Sequence, residues 1–387
     1  DLIEKEDMVV TITSSGWAKR TPLADYRAQK RGGKGLSGMS TKDEDVITTL
    51  FVANTHTQLL FFTDDGMAYK LKTWRLPLGG RTAKGKPIVN ILPIPTGVGI
   101  AAIMPVDRDE VEWDDLQVVF ATSKGSVRRN RLSDFTNVKS NGKIAMKFEG
   151  DDEGTRLINA RICDENDDVM LVTSSGRAIR FPVTDVRVFN SRASLGVRGI
   201  KMTDDEVVSM SVIRHFEADA SERTAYLKMR RAQAGAEEIE GTEDDEDAVE
   251  GSITQERFEE MKAAEELLVT ISEGGTGKLS SSHDYPVRGR GGMGVTAMDK
   301  AMRGGPLVAS FPVTLDDQIM LATSKGQSIR CPVNGISFRS RSAGGVKVFD
   351  TGKGEVVVSV AYIAESDEED GDVVEGDAPE TPDAPGT

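Results

Sequence analysis

The sequence predicts an all-β array of six strand-rich units, and three observations carry that expectation. A short apolar strand, a polar turn ending in glycine and a second strand recur six times. The recurrences are spaced by about fifty residues. Aromatic residues are few while glycines number 39, which suits small repeated strands joined by turns better than one bulky core. The turn glycines Gly16, Gly66, Gly125, Gly176, Gly274 and Gly326 lie 50, 59, 51, 98 and 52 residues apart, so an insertion separates the fourth and fifth units.

Each unit opens with a β-hairpin: Val9 to Arg20, Leu59 to Lys70, Val118 to Arg129, Met170 to Arg180, Leu268 to Lys278 and Ile319 to Arg330. Apolar and β-branched residues flank turns such as Ser-Ser-Gly and Asp-Asp-Gly. Four residues after every turn glycine the side chain is basic: Arg20, Lys70, Arg129, Arg180, Lys278 and Arg330. Lys and Arg supply 48 of 387 residues, so six out of six is not chance. Strand alternation puts the six on one face of their units, and a ring of outward positive charge is expected if the repeats close. Lys19 and Arg128, beside two of them, join that expected rim.

A Gly-rich basic loop follows each hairpin: Gln29 to Gly35, Gly79 to Lys86, Lys139 to Lys143, Arg192 to Gly199, Arg288 to Gly294 and Arg339 to Gly345. Further cations expected to meet nucleic acid are Arg81, Lys84, Lys86, Arg192, Arg198, Arg288, Arg290, Arg339 and Arg341. The first loop, Gln29, Lys30, Arg31, Gly32, Gly33, Lys34 and Gly35, packs three cations and three glycines into seven residues. Glycine lets backbone approach a ligand closely while the cations supply fixed charge, which suits a phosphate backbone. No Ser or Thr follows Lys34 to hold magnesium, and this run holds no G-x-G-x-x-G turn, so it is neither a Walker loop nor a dinucleotide turn.

That heptapeptide resembles the GyrA box, Q-[RK]-R-G-G-[RK]-G, of the C-terminal domain of the DNA gyrase A subunit. Val10 to Gly16, Lys19 to Leu23, Leu50 to His56, Leu59 to Thr63 and Arg81 to Asn90 are similar to that family as well. Spacing alone leaves a propeller, a spiral and a solenoid open. The resemblance implies a six-bladed β-pinwheel, propeller-like, in which blades exchange strands, with limits at about 8–56, 57–114, 115–166, 167–216, 266–315 and 316–363. It implies sequence-independent binding and chiral wrapping of duplex DNA as a monomeric, non-catalytic domain. It further implies partnership with the rest of the gyrase A subunit, and with the gyrase B subunit, in ATP-dependent negative supercoiling. No cofactor is expected in this domain; ATP and Mg would act elsewhere in the parent enzyme, and the strand-cleaving tyrosine belongs to a region outside this chain.

A net charge of −15 argues against nucleic acid until its distribution is read. Residues 237–250 carry nine acids and 365–387 carry ten, with no Lys or Arg in either; the remainder has a net charge of +4. The tail from 364 is expected to be disordered and to compete with DNA for the basic rim. In the insertion, 217–265, Ala218 to Gln233 has helical composition, and Ser252 with Gln255 forms an expected capping box ahead of Phe258, Met261 and Ala264. An acidic disordered stretch is expected between the two helices.

Cys163 and Cys331 are too few for a disulfide framework and read as buried thiols. His56, His215 and His283 lack metal-ligand spacing, and Met39, Met146, Met202 and Met298 read as core fillers. No apolar run approaches the ~20 residues of a membrane span, so a cytoplasmic, nucleoid-associated protein with no membrane contact is expected. The alternatives are a topoisomerase IV C-terminal domain, which would lack the intact box, and a protein-interaction propeller, which would not need the recurrent cations. A propeller enzyme would need a convergent acid, base or metal cluster.

Overall fold

Three long strands form in every unit because apolar and β-branched residues dominate them, and their order in each sheet repeats. The computed structural model describes residues 2–26, 47–80, 82–233, 235 and 251–363. Gln29 to Gly35, Arg81, the acidic stretch 237–250 and the tail 364–387 lie outside the described residues. Blade 1 comprises Asp7–Thr13, Trp17–Pro22 and Ile47–Asn54; blade 2, Gln58–Thr63, Met67–Lys72 and Ile100–Val106; blade 3, Gln117–Thr122, Ser126–Arg131 and Leu157–Cys163. Blade 4 comprises Asp167–Thr173, Arg177–Pro182 and Val207–Arg214; blade 5, Leu267–Ser272, Thr276–Ser281 and Leu307–Val313; blade 6, Gln318–Thr323, Ser328–Pro332 and Val357–Ile363.

Within a blade the first two strands make the hairpin and the third pairs with the free side of the first. From blade 2 onward the third strands pack against those of the next blade, so they form the inner wall of a ring. The third strands of blades 6 and 1 pair in parallel at Ile363 and Leu50, so the last blade meets the first. Each of blades 1 to 5 takes its outermost strand from the blade that follows it. Lys86–Pro87 completes blade 1, Lys143–Ile144 blade 2, Val197–Arg198 blade 3, Val295–Thr296 blade 4 and Val346–Lys347 blade 5. This is the strand-exchanged pinwheel expected from the resemblance.

The turn glycines make the exchange possible. Gly66 has φ +90°, and a Cβ there would lie 2.2 Å from Met146 O, so no other residue fits without moving the next blade. Its carbonyl accepts the N–H of Ala145 (2.8 Å) and of Met146 (3.0 Å). The same contact recurs from Ile88 to Gly16, Gly199 to Gly125, Ala297 to Gly176 and Val348 to Gly275. In blade 5 the turn glycine is therefore Gly275, with φ +80°, and not Gly274 as the spacing suggests.

Apolar clusters fill the gaps between adjacent blades. Phe62 of blade 2 meets Phe120 and Phe135 of blade 3 edge to face, with centroids 5.2 and 5.3 Å apart. At the seam between blades 6 and 1, Val9, Leu50 and Ile363 are the buried members of the cluster among the described residues. Cys163 and Cys331 are buried free thiols, and burial pushes Cys163 up to about 12. Met146 and Met298 are core residues.

The insertion contributes two helices, α1 (Ala220–Gln233) and α2 (Gln255–Ala264). The cap of α2 is Thr254, whose side chain accepts the Arg257 N–H, and not the Ser252–Gln255 box read from the sequence. Tyr226 stacks on Phe258 at 5.1 Å and meets His283 of blade 5 edge-on at 5.1 Å. His283 Nε2 bonds Met261 O at 2.6 Å, so the helices are fastened to blade 5. At the root of α1, His215 bridges Asp168 of blade 4 (Nδ1, 2.9 Å) and Glu217 (Nε2, 2.7 Å), while Arg180 holds the other side of Asp168 at 2.9 Å.

Burial alone would lower the His215 pKa, but the hydrogen bonds to Glu217 and Asp168 outweigh it and leave it raised. A raised folded-state pKa gives stability that is full below about pH 6.5 and is lost as the pH climbs through the raised value. His215→Asn should therefore cost more at about pH 6 than at about pH 8.5, read as the gap in urea midpoint from the wild type. A gap that does not narrow with rising pH would show that the bridge carries no charge.

Candidate nucleic-acid interface

Each blade is covered on both faces by its neighbours, so strand alternation does not mark an outward side. The middle strands Gln117–Thr122 and Asp167–Thr173 are buried at every position but the first. The ring of six outward cations is accordingly absent. Arg129 and Arg180 are 4% exposed and Lys278 is 0% exposed. Arg129 donates to Val186 O (2.7 Å) and Gln117 Oε1 (2.8 Å). Arg180 pairs with Asp168 and donates to Ser282 O of blade 5 at 2.7 Å. Arg20 is half-buried and donates to Leu76 O at 2.8 Å, with burial lowering its pKa. Lys70 pairs with Glu110 at 2.6 Å beside Trp113, and Arg330 is half-buried.

Lys278 also belongs to another register. It stands opposite Thr270, as Lys19 stands opposite Thr11 and Arg128 opposite Phe120, and Leu279 takes the place of Arg20. These three cations hold the loop of the following blade by its carbonyls. Lys19 Nζ donates to Gly80 O (2.9 Å) and Ala83 O (2.8 Å). Arg128 Nη1 donates to Arg192 O (2.9 Å) and to Ser194 O. Lys278 Nζ donates to Ser340 O (2.9 Å), Ala343 O (2.7 Å) and Arg341 O. Burial lowers Arg128 to about 10 and Lys278 to about 7.

Arg341, expected on the rim, is 1% exposed. Its N–H and Nε donate to Asp284 Oδ2 and O, both at 2.8 Å, and its Nη1 to Thr296 O at 2.6 Å. Arg290 repeats the pattern one blade earlier, on Asp185 O (3.2 Å) and Arg198 O (2.8 Å), but remains exposed.

The outward charge sits instead on the loops that carry the exchanged strands. Lys84, Lys86, Arg198, Arg288 and Arg290 are exposed, and Arg192 and Arg339 are half-exposed. Those loops touch one another: Gly291 N–H donates to Gly199 O and Lys201 N–H to Gly292 O, both at 2.8 Å, and Arg192 Nη1 to Ile144 O at 2.7 Å. The outer edge of blades 3 to 5 is thereby a continuous basic seam. Sequence reasoning missed exposed Lys201 and Lys347; the latter occupies in Gly345-Val346-Lys347 the place of Arg198 in Gly196-Val197-Arg198, so aligning the loops would have found it. It also missed Arg177, which holds Met293 O (3.3 Å) and Gly294 O (2.6 Å). Exposed acids sit on the turns holding Asp107 to Asp115 and Asp164 to Glu165, and also on Glu149 to Glu153 and Asp204 to Glu206, which follow the basic loops of blades 3 and 4. Among the described residues no group of three or more His, Cys, Asp or Glu could hold a metal ion, and no helix is long and apolar enough to cross a membrane.

The family described as "DNA gyrase C-terminal domain, beta-propeller" matches residues 7–54, 57–107, 117–153, 167–214, 266–307 and 317–364, one segment per blade. The chain belongs to this DNA gyrase C-terminal domain family. The DNA gyrase A subunit of Granulibacter bethesdensis is 46% identical over 398 residues, covering 99% of this chain and 42% of that protein. The DNA gyrase A subunit of Rickettsia bellii is 44% identical over 370 residues, covering 95% of this chain and 40% of that protein. The chain thus spans about 40% of the length of these curated relatives. A solved DNA gyrase A C-terminal domain superposes with TM-score 0.62 at 23% identity, over 93% of this chain and 100% of that one. A topoisomerase IV C-terminal domain superposes with TM-score 0.65 at 22% identity, over 93% and 94%. Both share the fold of the gyrase family.

The two kinds of cation in this gyrase-family domain make a stability test. Arg180→Met leaves the buried Asp168 carboxylate with His215 as its remaining charged partner and should cost about 3 kcal/mol. Lys84→Gln with Lys86→Gln should change stability by no more than about 0.5 kcal/mol. Urea unfolding separates them; equal losses would contradict the division into inner and outer cations.

Proposed function

We propose that this chain binds duplex DNA without base preference along the edge formed by its exchanged strands, as the C-terminal domain of a gyrase A-type subunit. The observation that carries the reading is the set of exposed cations Lys84, Lys86, Arg198, Arg288 and Arg290, with half-exposed Arg192, on the strand-lending loops of blades 2, 4 and 5. A convex basic edge neutralises phosphates on one side of a duplex and releases counterions. That gain offsets the cost of bending the duplex, on the order of several kcal/mol for a short site. Gln29 to Gly35 adds three cations to blade 1 and is the element that closes the wrap. In a complete enzyme, with the rest of the gyrase A subunit, the gyrase B subunit, ATP and Mg, a wrap of fixed hand would bias strand passage toward negative supercoils. Family membership and the intact heptapeptide support this reading over a topoisomerase IV domain, which shares the fold.

Neutralising Lys30, Arg31 and Lys34 together should abolish the topological bias in a DNA-circle ligation assay while leaving much of the affinity for linear duplex. Unchanged bias would remove the heptapeptide from that role. A duplex affinity insensitive to salt would remove DNA binding along this edge.

A further inference from the structure

Three blades place a cation at one register position, and in each it donates to carbonyls of the neighbouring blade's loop; Arg128 also donates to Asn130 Oδ1 at 2.7 Å and to Ala145 O of its own blade. Lys19 takes the oxygens of Gly80 and Ala83, Arg128 those of Arg192 and Ser194, and Lys278 those of Ser340, Arg341 and Ala343. Arg128 and Lys278 are 0% exposed, so neither can touch DNA directly. The chain has no cis peptide bond among the described residues, and in a trans peptide the C=O and the following N–H point in opposite directions. Turning Ala83, Ser194 and Arg341 carbonyls inward therefore turns the amides of Lys84, Leu195 and Ser342 away from the sheet. Those amides belong to the same loops as Lys84, Lys86, Arg192, Arg198 and Arg339. An N–H turned outward beside a fixed cation is a donor for an anion.

From this arrangement, and resting on the DNA-binding reading above, we infer that Lys19, Arg128 and Lys278 are positioning residues for the DNA phosphodiester. Each draws the carbonyl side of the next loop inward, so that only donors and cations meet the phosphate. Without the clamp the loop carbonyls are free to rotate outward, where their oxygens repel the phosphate. The exposed cations then keep their charge but lose the fixed geometry of the amides beside them. Affinity falls while the number of neutralised phosphates stays the same.

The test uses the full 387-residue chain and a plain duplex, with Kd measured from about 50 to about 200 mM salt. Lys278→Met should raise Kd at least about threefold at every salt concentration, with the log–log slope unchanged. Lys278→Arg should restore binding, since blade 3 already uses Arg128 at this position. Lys84→Gln, by contrast, should lower the slope by about 0.9. A Lys278→Met slope reduced by about that amount would make Lys278 a direct contact and overturn the inference. So would a lower melting temperature with unchanged Kd, which is what a purely structural clamp would give. Should Lys278→Met fail to fold, the half-exposed Lys19→Met and Lys19→Arg pair is judged by the same criteria. No duplex binding by the wild-type chain would sink the proposed function itself, a result distinct from these.

Discussion

One hydrogen bond, repeated around the ring, fixes this architecture: the turn-glycine carbonyl of one blade accepts an N–H from the strand that the next blade lends to it. It is made at Gly16, Gly66, Gly125, Gly176 and Gly275, at 2.7 to 2.8 Å. All five acceptors have the positive φ that favours glycine, and at Gly66 and Gly275 a Cβ would also lie 2.2 Å from a carbonyl oxygen of the incoming chain. The lent strand carries its Gly-rich basic loop with it. Blade assembly and the display of positive charge are thus one event, and neither can be altered without the other.

The same coupling divides the cations. Side chains on the hairpin strands are covered by the next blade and end on its carbonyls, as Arg129 does on Val186 and Arg180 on Ser282, while Asp168 of its own blade balances the charge of Arg180. Buried charges of this kind are held by complete hydrogen bonding. Side chains on the lent loops, such as Lys84, Arg198 and Arg288, stay in solvent. Nineteen of the 63 acids fall in the stretches 237–250 and 364–387, so a chain of net charge −15 still carries a basic edge.

The hairpins were legible because alternating apolar residues around a Gly turn act locally, and the period exposed the sixfold repeat. The helices of the insertion were legible from composition and from the Phe258–Met261 stripe. The fate of the cations was not, since alternation reveals which face a side chain takes and not what covers that face. Arg129 and Lys84 are both basic residues in β-rich sequence, yet one is enclosed by Val186 and the other is solvated. The Gly274-Gly275 pair hid a one-residue shift, which moved Lys278 from the Arg20 position to the Lys19 position. The Thr254 cap lay two residues beyond the Ser252 chosen from the sequence. Gln29 to Gly35, the most specific sequence feature, lies outside the described residues.

The most direct test of the account is lysine acetylation mapped by mass spectrometry in the free chain and with a plain duplex bound. Lys84 and Lys86 should react in the free chain and be protected by the duplex, while Lys278 should stay unreactive in both states. Duplex binding that leaves Lys84 and Lys86 as reactive as before, or ready acetylation of Lys278 in the folded chain, would contradict the separation of inner clamps from an outer DNA-facing edge.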